Sequence, residues 1–136
     1  MKLHHIGIAT KDIEKTAMLL CDFGYIAHAT EFDKEQNVYV KFMEQPNAPC
    51  IELIMRGKDN SPVDKIIERN GTCVYHLCYE VEDIDTSVQE LRVKGYFPTG
   101  RKTKSVIDGR DVIFLFHADN CLIELLEREK NETESL

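Results

Sequence analysis

HHIGIATKDIEKTAMLLCDFGYI, residues 4–26, lies over YHLCYEVEDIDTSVQELRVKGYF, residues 75–97, at a constant offset of 71 with no gap. Six positions are identical: His5/His76, Asp12/Asp83, Ile13/Ile84, Leu20/Leu91, Gly24/Gly95 and Tyr25/Tyr96. Ordinary residue frequencies would give about one or two. Each stretch begins with strand-like alternation, passes an Asp that can cap a helix, carries an apolar face at helical spacing and ends at Gly. A second echo follows: CIELI, residues 50–54, returns as LIELL, residues 122–126, which matches Glu52 to Glu124 at an offset of 72. A loop absorbs a slip of one residue. The chain is a duplicated module, and the repeat governs how every other feature is read.

The first copy reads β-α-β-β-β. A strand over 3–9 places His5, Gly7 and Ala9 on one face and Ile6 and Ile8 on the other. Thr10 or Asp12 caps a helix running to about residue 23, with Ile13, Ala17 and Leu20 on its buried side. Strands are expected over 25–32, 38–43 and 49–55. Asn60-Ser61-Pro62 opens a short helix over 62–69, closed by Asn70-Gly71. The second copy follows as a strand over 74–81, a helix over 84–94 stopped by Gly95, a strand over 96–98, a hairpin SVIDGRDVIFLF and a last strand over 122–127. Asp108-Gly109 is the signal for a two-residue hairpin turn. The spacing predicts an α+β fold of two tandem βαβββ modules, 1–58 and 72–127, joined by a linker at 59–71. Residues 128–136 read as a flexible tail.

The chain has 136 residues, 43% apolar and 30% charged, which is the balance of a folded domain. No run approaches the roughly 18 apolar residues of a membrane span. The start turns polar too soon for a secretory signal, so a cytoplasmic location is expected. A formal charge of −7 argues against a nucleic-acid partner, which would need clustered Lys and Arg. The five cysteines are an odd number without a C-x-x-C pair, which speaks against a zinc knuckle or a disulfide framework.

Duplication places His5 and His76 on the first strand of each module and Glu52 and Glu124 on the last. Under an approximate twofold the four side chains can converge. A lone strand His is more often a packed residue than a ligand, but four ligand types at matched repeat positions point to a shared site. Two imidazoles and two carboxylates suit one divalent ion such as Ni, Co, Zn, Fe or Mn, whereas Mg²⁺ or Ca²⁺ would call for an all-oxygen shell. An octahedral ion would keep two positions open for water or substrate. His4, the counterpart of Tyr75, is expected to point away from the ligand face, and Cys78 reads as a small core residue. Arg56, Lys58, Arg101, Lys102 and Lys104 are candidates for holding an anion, though solvated surface is their commoner role.

With these residues in place the chain resembles the vicinal oxygen chelate superfamily (glyoxalase, bleomycin resistance, dioxygenase) over about residues 2–127. Within it, HHIGIATKDIEK, IELI, DNSPVDKIIERNG, YHLCYEVEDID and LIELLE are similar to the methylmalonyl-CoA epimerase family. The resemblance implies paired modules in a curved mixed sheet around a metal held by His5, Glu52, His76 and Glu124. It implies a homodimer, and a small-molecule substrate that is an acyl-CoA or a hemithioacetal. The implied chemistry is removal of a proton α to a metal-bound carbonyl through an enolate, with Glu124 first and Glu52 second as catalytic base. A glyoxalase I-type lactoylglutathione lyase is the alternative, and a non-catalytic small-molecule-binding module the second. Two departures fall where the substrate is read: Val40 stands where some epimerases carry a proposed catalytic Glu, and the loop before the last strand is shortened to His117-Ala-Asp-Asn120.

Overall fold

A computed structural model describes residues 1–129 of the chain. The tail expected over 128–136 thus lies outside the described residues from 130 onward. The elements run β1 Lys2–Ala9, α1 Ile13–Cys21, β2 Ile26–Asp33, β3 Val38–Glu44, β4 Cys50–Arg56, α2 Asp64–Asn70, β5 Cys73–Val81, α3 Ile84–Arg92, β6 Phe97–Pro98, β7 Thr103–Lys104, β8 Asp111–Phe116 and β9 Leu122–Glu127. The two long helices start and stop by the same local chemistry. Asp12 accepts from the Lys15 amide and Asp83 from the Thr86 amide, satisfying amides that have no partner within the helix. Gly24 (φ 94) and Gly95 (φ 96) then take a left-handed turn that a side chain would resist.

All the strands join one open mixed sheet in the order β2-β3-β4-β1-β5-β9-β8-β6, with β7 paired to β8. A twofold between β1 and β5 exchanges β4 with β9, β3 with β8 and β2 with β6. One face is covered by the helices. Ile13 and Ala17 of α1 pack on Met43, Ile51 and Leu53, and Ile84 of α3 on Ile113, Leu115, Ile123 and Leu125. The opposite face carries the His and Glu positions and, at one end, a plug of Val63 and Ile67 against Ala9, Val38, Val40 and Ile54.

Three local expectations are corrected. The helix expected from residue 62 begins at Asp64, whose carboxylate accepts from the Ser61 amide; Ser61 instead donates its hydroxyl to the Asn37 carbonyl. The hairpin expected over 105–116 does form its turn, since Asp108 (φ 52) and Gly109 (φ 67) are both left-handed and Arg110 N bonds Ile107 O at 3.0 Å. Its first arm does not continue the ladder. Val106 and Ile107 turn down onto two apolar clusters of the ligand face, and pairing resumes only at Lys104↔Asp111.

The third correction concerns His4. Leu3 pairs with Tyr79 and His5 with Cys78, which leaves His4 as an extra residue in β1. Gly7 pairs with His76 and Ile8 with Val74, which leaves Tyr75 extra in β5. These twofold-related β-bulges break the alternation, so His4 sits beside His5 on the ligand face.

Candidate metal centre

Register alone brings the four residues together. β1 lies between β4 and β5, so Gly7 faces Glu52 on one side and His76 on the other, while His5 faces Cys50 and Cys78, and Cys78 in turn faces Glu124. Directly paired residues share a face, and so do residues two apart. The result is a cluster at the centre of the sheet in which His5, Glu52, His76 and Glu124 are 0%, 7%, 1% and 4% exposed. His5 Nε2 lies 3.1 Å from His76 Nε2, 3.2 Å from Glu124 Oε1 and 3.6 Å from Glu52 Oε1. His76 Nε2 lies 3.1 Å from Glu124 Oε1 and 3.7 Å from Glu52 Oε1.

Small and aromatic neighbours set the two rings. A Cβ built on Gly7 would overlap the His76 imidazole, so the ring occupies the space that the missing side chain leaves. Tyr75 and Phe114 meet the His76 ring edge-on at centroid distances of 4.9 and 5.5 Å. Phe42 and His4 meet the His5 ring edge-on at 5.7 and 5.1 Å. Phe42 and Phe114 are the residues that the sequence reading overlooked. They are identical at the offset of 72 that pairs Glu52 with Glu124, and that match was the available signal.

The donor set fits a divalent cation. Two carboxylates buried together repel and lose hydration, a cost that only nearby positive charge offsets. Burial pushes Glu52 up to about 7, with the charge of Glu124 adding to it. Burial also acts to raise Glu124, but its contacts with His5 and His76 outweigh that and hold it well below the ordinary carboxylate range. Burial acts to lower His5, yet the Glu124 contact and the charges of Glu52 and Glu124 raise it. Among the described residues Glu124 Oε1 nevertheless makes no aligned hydrogen bond, which leaves a buried acceptor that a cation would satisfy. The separations among His5 Nε2, His76 Nε2 and Glu124 Oε1, 3.1–3.2 Å, match those of ligands about 2.1 Å from a common ion, which sit roughly 3.0–3.4 Å apart in octahedral or tetrahedral shells, while Glu52 Oε1 at 3.6 and 3.7 Å stands slightly outside that range.

Beside the cluster lies a cavity of about 520 Å³, lined on its apolar side by Val40, Phe42, Val106 and Ile107, and also by His4, which touches His5. Glu31, Glu44 and Asp108 also line it, and among the described residues no Lys or Arg does. Three of the five candidate anion-binding residues are engaged elsewhere: Arg56 with Asp64 at 2.7 Å, Lys102 with Asp85 at 3.3 Å and Lys104 with Asp111 at 2.7 Å. The Cys78 thiol is fully buried, and burial pushes it far up, as a core residue requires.

The paired modules and the His and Glu cluster between them are the features of a known class. Residues 4–133 match the family described as Glyoxalase/Bleomycin resistance protein/Dioxygenase superfamily, and the chain belongs to it. Its relatives include the ethylmalonyl-CoA/methylmalonyl-CoA epimerase of Cereibacter sphaeroides, 33% identical over 91% of this chain and 96% of that protein. The mitochondrial methylmalonyl-CoA epimerase of Homo sapiens is 30% identical over 95% of this chain and 73% of its own length. Among solved structures, the methylmalonyl-CoA epimerase of Mycobacterium tuberculosis superposes with a TM-score of 0.83 at 22% identity, covering 99% of this chain and 92% of that one. Among the described residues, no helix is long and apolar enough to cross a membrane.

Proposed function

We propose that this chain is a divalent-metal-dependent epimerase acting on the carbon next to the thioester carbonyl of a small acyl-CoA of the methylmalonyl type. The observation that carries this reading is the convergence of four buried residues, one His and one Glu from each module, beside a cavity of substrate size. His5, Glu52, His76 and Glu124 would hold the ion. When bound there, it supplies Lewis-acid polarisation of a carbonyl, which lowers the cost of removing the adjacent proton.

The protein's own groups do the rest. Glu124, close to both imidazoles, is the better-anchored ligand. Glu52 stands farther from them and is the carboxylate freer to take the α-proton at its Oε1, so we place it ahead of Glu124 as the base. Inversion also needs a proton delivered to the opposite face of the enolate, a role that falls to Glu124, the carboxylate of the other module, in its protonated form. Val40, Phe42, Val106 and Ile107 give the cavity an apolar wall against which a short acyl group can rest, with Glu31, Glu44 and Asp108 on its remaining border. The exposed edge strand β2, with Ile26 and Phe32 open, is consistent with a second copy of the chain as partner.

The test is solvent exchange in D₂O with the metal-loaded protein and the separate epimers of methylmalonyl-CoA, with the methylglyoxal–glutathione hemithioacetal in parallel. We expect deuterium at the acyl α-carbon with interconversion of epimers and no turnover of the hemithioacetal. Turnover of the hemithioacetal alone would replace the epimerase reading with the glyoxalase one.

A further inference from the structure

His4 was placed by strand alternation on the wrong side of the sheet, and its actual position gives it work to do. The bulge at Leu3-His4-His5 turns its ring toward the cluster, and its Nδ1 comes to 2.8 Å from His5 Nδ1. His5 Nε2 is the atom that faces the other three ligands. An imidazole that offers the Nε2 lone pair carries its proton on Nδ1, and that N–H needs an acceptor to fix the tautomer and the ring angle.

We propose that His4 is the positioning residue of the site: its Nδ1 accepts the His5 Nδ1–H and so locks His5 in the tautomer that presents Nε2 to the metal. This goes beyond the assignment of the four ligands and rests only on the metal site, not on the substrate.

The twofold makes the assignment sharper. Tyr75 occupies the matching bulge in β5, yet among the described residues His76 Nδ1 has no hydrogen-bond partner. His76 is held by shape instead, against Gly7 and between Tyr75 and Phe114. His5 stands opposite Cys78 where His76 stands opposite Gly7, and the His5 ring relies on a hydrogen bond where His76 relies on packing. The duplicated modules therefore orient equivalent ligands by different physical means. Cys78 Sγ is also within 4.8 Å of one ring nitrogen each of His4 and His5, so these three could alternatively bind a second ion. The experiment separates that case.

The full-length chain is compared as wild type, His4→Phe and His4→Gln. The Phe variant keeps a ring but no acceptor, and the Gln variant restores a carbonyl acceptor. Co²⁺ titration followed by visible absorption gives affinity, stoichiometry and ligand field, and ¹⁵N–¹H long-range correlation on the Zn²⁺-loaded protein gives the tautomer of each imidazole. The expected result is one ion per chain in all three, affinity lowered about 10- to 100-fold in His4→Phe with a shifted Co²⁺ band, and recovery toward wild type in His4→Gln. Wild type should show two Nε2-bound imidazoles, one of them with a protected Nδ1–H that is lost in His4→Phe. Should His4→Phe not fold, the affinity of His4→Gln decides: within a few-fold of wild type supports the role, and a loss as large as that named for Phe overturns it. Unchanged affinity and spectrum in His4→Phe would overturn it, as would a second equivalent of metal in wild type that disappears on substitution.

Discussion

Glu52 and Glu124 share one cluster but are held differently, and the difference has a sign that pH can read. Glu52, lifted by burial to about 7, and His5, lifted by its carboxylate neighbours, both bind a proton more tightly in the folded chain than in the unfolded one. Their contribution is fully present below the unfolded values and is lost as pH rises through the folded ones. Glu124, held low, acts in the opposite sense only at lower pH. The metal-free protein is therefore expected to lose stability between about pH 5 and 8, by at most about 3–4 kcal/mol from Glu52, raised from 4.5 to about 7, at roughly 1.4 kcal/mol per pKa unit. Metal ligation requires these groups deprotonated, so the stabilisation given by Zn²⁺ should grow over the same interval. Thermal melts at pH 5.5 and 8, with and without Zn²⁺, check both halves. A metal-induced shift equal at the two pH values would contradict the assignment. Gly7→Ala belongs at this scale too. Its Cβ overlaps the His76 ring, so we expect at least a tenfold loss of metal affinity and a stability cost of about 1–3 kcal/mol, read by Co²⁺ titration and denaturant melts.

At the scale of elements, the helices were legible because their signals are local. An Asp cap and a glycine stop each act within one turn, and the structure uses Asp12, Asp83, Gly24 and Gly95 as the residue types imply. The strands were legible from alternation wherever pairing is regular. Alternation failed at His4 because a bulge is set by two strands together, and β1 carries no mark of what β5 does beside it. It failed at Val106 and Ile107 because burial against the ligand face outweighed ladder pairing in an otherwise correctly read turn. These causes are separable by mutation. Gly95→Ala forces a side chain into φ 96 far from the cluster and should cost about 1–2 kcal/mol, a few degrees of Tm, with metal affinity unchanged. Lost metal binding in that variant would mean that the helix stop and the site are coupled.

At the scale of the whole molecule, the sheet is two copies of one unit meeting at β1 and β5, and the cluster lies on the seam. Neither half of the sheet, β1–β4 or β5–β9, holds more than two of its four residues, so in our proposal metal binding requires both. The convergence of His5, Glu52, His76 and Glu124 was legible because the duplication matched them in pairs. Their distances and the opposite pKa shifts of Glu52 and Glu124 were not, since these depend on strand order and register that no single stretch encodes. The direct test of a shared site is metal content per chain by elemental analysis of wild type, His5→Ala and His76→Ala, each removing one module's imidazole. One ion per chain in wild type and almost none in either variant is the expected result. Undiminished metal in either variant, with the fold intact, would contradict a single site shared by the two modules.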